Sequence, residues 1–170
     1  TTITAAIAHG TAPFPVGQVH SSDFTALEAL LGEEFQGTKG RVYRLAKADV
    51  AVASPATKIF KRKTSGSDTV NLTDDDATSY CCGVAVSDQV ALAAGDYFFL
   101  QVSGKVTVTG KSGHGISAGD YIQPSGSGAE AGLVKTVGST TALEPQLPLR
   151  AIAVDTNTIT AYVDQKLLGN

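Results

Sequence analysis

The sequence predicts an all-β domain, mainly antiparallel and of the barrel or sandwich type, with one short helix near residues 22–31. After Gly40 the apolar residues alternate with a period of two, which is typical of half-buried strands. Short candidate strands recur at a spacing of roughly 8–12 residues between turn-forming residues, as in barrels and sandwiches. A parallel sheet would need crossover helices, and the sequence has one helical pattern.

Composition limits the classes of partner. The chain has 170 residues, of which 42% are hydrophobic and 17% charged, as expected for a folded domain. Its formal net charge of -3 gives no general basic field, so we expect neither nucleic acid nor a membrane surface as partner. No apolar run approaches the roughly 18 residues of a membrane span. Thr1–Thr4 lack the basic and apolar regions of a signal peptide, so none is expected.

The two cysteines are neighbours, Cys81 and Cys82. Adjacent residues on a strand point to opposite faces, so these thiols are not expected to pair with each other. We expect one buried thiol and one near the surface. A chain without a disulfide framework is consistent with assembly in a reducing cytosol.

The first twenty residues predict an extended N-terminal arm, residues 1–20, followed by a single β-rich domain, residues 21–170. Pro13 and Pro15 exclude a helix interior or a central strand, and no hydrophobic period persists. Such a segment does not bury its apolar residues alone, so we expect it to become ordered against another subunit. The candidate partner-binding residues on the arm are Ile3, Ile7, Phe14 and Val16.

The predicted helix has recognisable ends. Ser21, Ser22 and Asp23 are all suitable N-caps, and Gly32 is a suitable C-terminal stop. Between them, apolar residues recur at spacings of three and four: Phe24, Leu27, Leu30 and Leu31.

The candidate strands that follow are 42–45, 50–52, 58–61, 80–86, 97–102, 105–109, 121–123, 133–137, 151–154 and 158–163. Two hairpins are expected, one turning at Ser103-Gly104 and one at Asp155-Thr156-Asn157. The pattern Ala-Gly-Asp-Tyr occurs twice, at residues 94–97 and 118–121, and predicts the same tight turn before each strand. Two copies are too few to define a repeat architecture.

The motifs that suggest chemistry favour a structural interpretation. Gly115–Gly119 matches the serine-hydrolase pattern G-x-S-x-G, but a strand ended by Pro124 follows it, and no histidine comes after Ser117. The run Asp74–Asp76 lacks calcium-loop spacing, and His114 has no second metal ligand at a useful spacing. We therefore expect no catalytic, cofactor-binding or metal site, and no enzyme. The basic run Lys58–Lys63 is expected to be a solvated strand end or a contact with an acidic neighbour.

The order of strands and turns resembles a known group of proteins. The residues that carry the resemblance are Leu31-Gly32, Gly40–Ala48, Gly83–Ala85, Ala94–Gly104, Ala118–Asp120 and Arg150–Val154. This pattern, which spans roughly residues 31–163, resembles the capsid decoration proteins, also called cement or head-stabilising proteins, of tailed bacteriophages. The arm lies outside the match, and the stretch 55–80 is longer than the pattern leads us to expect.

The resemblance implies a function and partners. Decoration proteins are small β-barrels or β-sandwiches, commonly trimeric, that bind the outer face of the major capsid protein shell. By resemblance, the chain is a structural virion protein that stabilises the capsid, with the major capsid protein and its own copies as partners. Its expected location is the outer capsid surface of the virion, after synthesis in the cytoplasm of the bacterial host.

Two alternatives stay open from the sequence. A host-attachment or glycan-binding β module should show exposed aromatic residues in loops, and Phe14 is the clear example. A β-barrel enzyme should show an acid and a base clustered in loops, and the sequence has no such set.

Overall fold

The computed structural model describes residues 12–21, 25–64, 66–74, 81–137 and 149–163. Strands make up 46% of the structure and there is almost no helix, which confirms the predicted all-β class. Five of the strands form a closed β-barrel.

The described elements follow one another in a simple order. A 3-10 helix, Thr25–Leu30, precedes the first strand, and a second 3-10 helix, Gly128–Glu130, lies between β7 and β8. The strands are β1 Glu34–Gln36, β2 Val42–Ala48, β3 Ile59–Arg62, β4 Thr69–Leu72, β5 Cys81–Ala85, β6 Tyr97–Thr109, β7 Tyr121–Pro124, β8 Val134–Thr136, β9 Leu149–Asp155 and β10 Thr158–Val163.

The barrel consists of β2, β4, β3, β5 and β6 in spatial order, and it closes because β6 pairs with both β5 and β2. Its pairings are antiparallel except that of β2 with β4, which is parallel. Strand β1 pairs antiparallel with residues Val42–Arg44 of β2. Closure pairs the barrel strands with one another and so leaves the barrel without free edges.

The longest strand, β6, belongs to both halves of the molecule. Its first half pairs with β2 and β5, whereas Gly104–Thr109 pair with β10. The prediction of a hairpin at Ser103-Gly104 is therefore wrong, because β6 continues through these two residues without reversing direction. Gly104 has a φ of 93°, and a Cβ atom there would lie 3.2 Å from Arg41 Cγ. Glycine at this position permits a bend and a close approach of two backbones instead of a reversal.

The remaining strands form a second sheet that continues from β6 in the order β6, β10, β9, β7, β8. The predicted hairpin of β9 and β10 is confirmed, and Thr156 in its turn has a φ of 50°. The pairing of β9 with β10 changes register between Thr160 and Ala161, which marks a β-bulge on β9.

Three apolar clusters fill the structure. The barrel interior receives residues from all five barrel strands: Ala46, Ala48, Phe60, Val70, Cys82, Ala85, Phe98 and Leu100. A second cluster lies between the barrel wall and the second sheet and includes Val42, Ile59, Cys81, Val84, Val102, Val108, Ile122, Leu149, Ile159 and Val163. A third cluster lies under the first 3-10 helix and consists of Phe14, Leu27, Phe35, Leu45, Tyr97 and Phe99.

Strand β5 separates two of these clusters. Cys82 packs into the barrel interior and Cys81 into the cluster behind the barrel wall, so the predicted opposite orientation is confirmed. The expectation that one thiol lies near the surface is wrong, since Cys81 is 7% and Cys82 3% exposed. The physical reason is that both faces of β5 are covered by packed layers.

Other predictions on short segments differ from the structure. The predicted helix is a 3-10 helix at Thr25–Leu30, and its Leu27 is fully buried. Residues 22–24 lie outside the described residues. The predicted strand around Val50 and Val52 is reduced to one isolated bridge between Val52 and Leu92. Strands β1 and β4, of three and four residues, were not predicted.

Candidate partner-binding site

Of the four arm residues predicted to bind a partner, the structure describes two, Phe14 and Val16. Phe14 is 4% exposed, and its ring centroid lies 4.8 Å from that of Phe99. Val16 is half-buried and packs against the same cluster. The assignment of Phe14 to a partner surface is therefore corrected, since its ring is buried within its own chain. Ile3 and Ile7 lie outside the described residues, and their role stays a prediction.

Backbone hydrogen bonds hold residues 12–21 against the β domain. His20 and Tyr97 exchange a pair of them, with N···O distances of 3.0 and 2.9 Å. The N–H of Val90 donates to the carbonyl of Gly17 at 3.0 Å. The described part of the predicted arm is thus attached to the start of β6, and no aromatic side chain in it projects as a binding residue.

A charged cluster ties the first 3-10 helix to the barrel. The hydroxyl of Tyr97 donates to Glu28 Oε1 at 2.6 Å, and the Lys47 ammonium donates to the same oxygen. The ammonium also lies 5.4 Å from the centroid of the Tyr97 ring. The Lys47 hydrogen bond lowers the pKa of Glu28, and the hydrogen bond to Glu28 raises the pKa of Lys47. Burial raises the pKa of Tyr97, and its bond to Glu28 adds to the rise.

The lowered pKa of Glu28 predicts an acid-sensitive contribution to stability. A carboxyl whose pKa is lower in the folded state stabilises above its unfolded value, and that stabilisation is lost as the pH falls through the folded value. Glu28→Gln should therefore lower the melting temperature at neutral pH. The difference from the original chain should disappear well below the ordinary pKa of 4.5.

Thermal melts of both chains between neutral pH and about pH 3 measure this difference. Glu33→Gln is the matched control, because Glu33 is exposed and makes no ion pair with any described residue. A difference between the original chain and Glu28→Gln that stays constant over the whole range would contradict the assignment.

The two Ala-Gly-Asp-Tyr segments form the same turn, as predicted. In the first, Asp96 Oδ2 accepts a hydrogen bond from the N–H of Ala93 at 2.8 Å. In the second, Asp120 Oδ2 accepts one from the N–H of Ser117 at 2.7 Å. Each aspartate N–H also donates back to the carbonyl three residues earlier, at 3.1 Å in both turns. This is the local side-chain bonding that favours aspartate in turns.

Both turns are also attached to a neighbouring strand in the same way. In each, the glycine N–H donates to an alanine carbonyl, and the N–H of that alanine donates to the aspartate carbonyl. The alanine is Ala48 at the end of β2 for Gly95 and Asp96, with distances of 2.7 and 2.8 Å. It is Ala151 of β9 for Gly119 and Asp120, with distances of 2.8 and 2.9 Å. The pattern thus places equivalent turns in the barrel and in the second sheet.

The serine-hydrolase pattern lies in the second turn. Residues 118 and 119 form the turn, and the N–H of Ser117 donates to Asp120 Oδ2, which confirms the turn interpretation of Gly115–Gly119. His114 is engaged on both nitrogens: Nδ1 accepts from the N–H of Ile116 at 2.9 Å, so Nε2 donates to the carbonyl of Thr156 at 2.6 Å. His114 therefore fastens its loop to the turn between β9 and β10.

Three of the four cations in the basic run form ion pairs within the chain. Its ion pairs are Lys61 with Asp74 at 2.5 Å, Arg62 with Asp68 at 3.4 Å, and Lys63 with Asp49 at 2.7 Å. These three cations therefore have carboxylate partners within the chain, and the Lys63 side chain remains 53% exposed. Asp75 and Asp76 lie outside the described residues. Among the residues that the structure covers, no three His, Cys, Asp or Glu side chains form a group that could hold a metal ion.

A polar cleft lies beside the point where β6 passes from the barrel to the second sheet. It has a volume of about 510 Å³, and its lining includes Arg41, Tyr43, Asp88, Gln101, Lys105 and Thr160. Arg41 Nε is buried and has no hydrogen-bond partner among the described residues. No ion pair with a described carboxylate involves Arg41 or Lys105. Sequence reasoning missed this cleft, because Arg41 and Lys105 are far apart along the chain and only the fold brings them together.

The structure defines an all-β protein in which a five-stranded barrel shares its longest strand with a second sheet. No described helix is long and apolar enough to cross a membrane. Among solved structures, the chain is similar to the N base of the head fiber gp8.5 in bacteriophage phi29. The two are 18% identical with a TM-score of 0.46, and the likeness covers 74% of this chain and 95% of that chain. No protein family and no curated protein matches the chain by sequence.

Proposed function

We propose that the chain is a non-catalytic structural protein of a tailed-phage virion that binds the outer capsid surface and stabilises the major capsid protein shell. One observation carries the proposal: the sequence that resembles decoration proteins forms the framework of this fold. Gly40–Ala48 contains β2, Gly83–Ala85 lies in β5, Ala94–Gly104 contains a turn and half of β6, and Arg150–Val154 lies in β9. The resemblance therefore falls on the residues that determine the structure.

A rigid barrel suits the proposed mechanical role. A thin shell fails at the joints between its subunits, and a bound protein that bridges several subunits adds contacts that must break together. Linked contacts act at a high effective concentration, so modest individual affinities combine. We expect a homotrimer, which multiplies the contacts by symmetry. The apolar residues Ile3 and Ile7 are proposed to bind a neighbouring subunit, and β-augmentation is a mode open to an extended segment.

The test is binding to capsids of the encoding phage that were assembled without this chain. The purified chain should sediment with such particles up to a fixed stoichiometry, and it should raise the temperature at which filled particles release DNA. Particles that already carry the protein are the matched control, because their sites are occupied. Absence of saturable binding to the bare particles would overturn the proposal.

Light scattering of the same preparation tests the oligomer. The expected result is a trimer in solution, or a monomer that becomes trimeric on the shell. A stable dimer both in solution and on particles would contradict the threefold arrangement.

A further inference from the structure

The outer face of the second sheet combines aromatic, apolar and basic side chains. On β10 the buried residues alternate with outward Thr160 and Tyr162, and Tyr162 is 52% exposed. Its cross-strand partners are Lys105 on β6 and Arg150 on β9, both exposed. We call Lys105, Arg150, Ile152, Thr160 and Tyr162 the β9–β10 face.

The β-bulge adds an apolar residue to this face. Ala151 and Val154 both pack inward, so the bulge lets two consecutive residues, Ile152 and Ala153, face outward. Ile152 is 44% exposed. The bulge keeps Val154 opposite the buried Ile159 and at the same time turns Ile152 outward. Bulges often redirect a side chain in this way next to functional sites.

The basic side chains of this face make no ion pair with a described residue, a state that Lys39, Lys58 and Lys135 share on other parts of the described surface. Elsewhere the structure has six ion pairs, and none of them involves Lys105, Arg150 or Arg41. Arg150 is held by the carbonyl of Gly119 at 3.2 Å and lies 5.6 Å from the Tyr121 ring centroid, so it is oriented but not neutralised. The face thus has fixed positive charge although the chain as a whole carries a net charge of -3.

The cleft described above continues this face. Lys105 and Thr160 belong to both, and the backbone of Gly104, next to Lys105, lies against Arg41. Arg41 lines the cleft and has no carboxylate partner among the described residues, and carboxylates match the guanidinium geometry. The cleft also contains one acidic residue, Asp88, which makes no ion pair with Arg41 or Lys105. Its carboxylate instead lies against the backbone of Gly17, where a Cβ atom would be 2.8 Å from Asp88 Oδ1.

We infer that the β9–β10 face and the adjoining cleft are the surface that binds an acidic protein partner, with a partner carboxylate seated beside Arg41 and Lys105. Tyrosine and arginine are among the residues most enriched at the energetic centres of protein interfaces. Ile152 supplies apolar area, and the unpaired cations supply complementarity to an acidic surface. The inference rests on the proposed function, because the partner surface it concerns is that of the capsid shell.

The experiment compares three variants for binding to capsids assembled without this chain. Lys105→Glu and Tyr162→Ala should each weaken binding about tenfold or more, since each removes a central contact. Lys58→Glu, which has the same charge change and lies away from this face, should bind as the original chain does. The affinity of the original chain should fall as salt rises, and that of Lys105→Glu should fall less steeply.

The outcomes separate the two proposals. If the original chain fails to bind the particles, both the proposed function and this inference are overturned. If it binds and both face variants bind equally well, the inference alone is overturned. Melting curves of the free variants complete the test. Lys105→Glu should leave the melting temperature unchanged, and Tyr162→Ala should lower it by no more than a few degrees through lost cross-strand contacts. A much larger drop for Tyr162→Ala would mean that the chain itself covers this face, which also overturns the inference.

Discussion

Replacing Phe14 with alanine should lower the free energy of unfolding by about 3–5 kcal/mol, the range measured for buried Phe→Ala changes. The ring is 4% exposed and packs with Phe99 in a tilted arrangement at 4.8 Å. It shares its cluster with Leu27 and Tyr97, both fully buried, so little room exists for neighbours to collapse into the cavity. Aromatic pairs of this kind add to the energy of burial.

Denaturant titration of the free chain measures this loss. Val50→Ala is the control, because Val50 is 52% exposed and should change stability by no more than about 0.5 kcal/mol. Two truncated chains extend the test. A chain that starts at Ala12 retains Phe14 and should keep the stability that the ring provides. A chain that starts at Gln18 lacks Phe14 and should lose at least as much stability as Phe14→Ala. Full stability of Phe14→Ala would instead free the ring for the partner-binding role that the sequence suggests.

Native thiol labelling should be slower than labelling of the unfolded chain by about a thousandfold or more. Burial raises the pKa of Cys81 and of Cys82 from 9.0 to about 12. A rise of this size lowers the thiolate fraction near neutral pH about a thousandfold, and the thiolate is the species that reacts. Restricted access of the reagent to the two clusters slows the reaction further.

A chromogenic disulfide reagent at pH 8 measures both rates, with the guanidinium-unfolded chain as the reference for two reactive thiols. The single variants Cys81→Ala and Cys82→Ala assign any residual reaction to one position. Rapid modification of one thiol in the native chain would contradict the burial of both faces of β5, and it would favour a cysteine near the surface.

Strand β6 connects the proposed contact surface to the barrel. Because β6 forms part of the barrel wall and also pairs with β10, the β9–β10 face is attached to the barrel by continuous backbone. The two Ala-Gly-Asp-Tyr turns are attached at Ala48 and Ala151, one in each half. A force from a partner bound to the second sheet would therefore be transmitted directly to the barrel.

The sequence by itself determined the features that neighbouring residues encode. Alternating apolar residues predicted the strands, the Gly-Asp pairs predicted two equivalent turns, and adjacency predicted that Cys81 and Cys82 face opposite ways. These are local effects of backbone conformation and side-chain bonding, so they survive without knowledge of the rest of the chain. The hairpin of β9 and β10 belongs to the same group.

Only the tertiary structure decided the features that depend on distant residues. Gly104 permits either a turn or a bend, and the close approach of Arg41 and the pairing with β10 select the bend. The sequence predicts an exposed aromatic ring at Phe14, whereas in the structure this ring is buried against Phe99 of β6. The cleft beside Arg41 and Lys105 was missed for the same reason, since the β6 crossing brings together side chains that are far apart along the chain and share no motif.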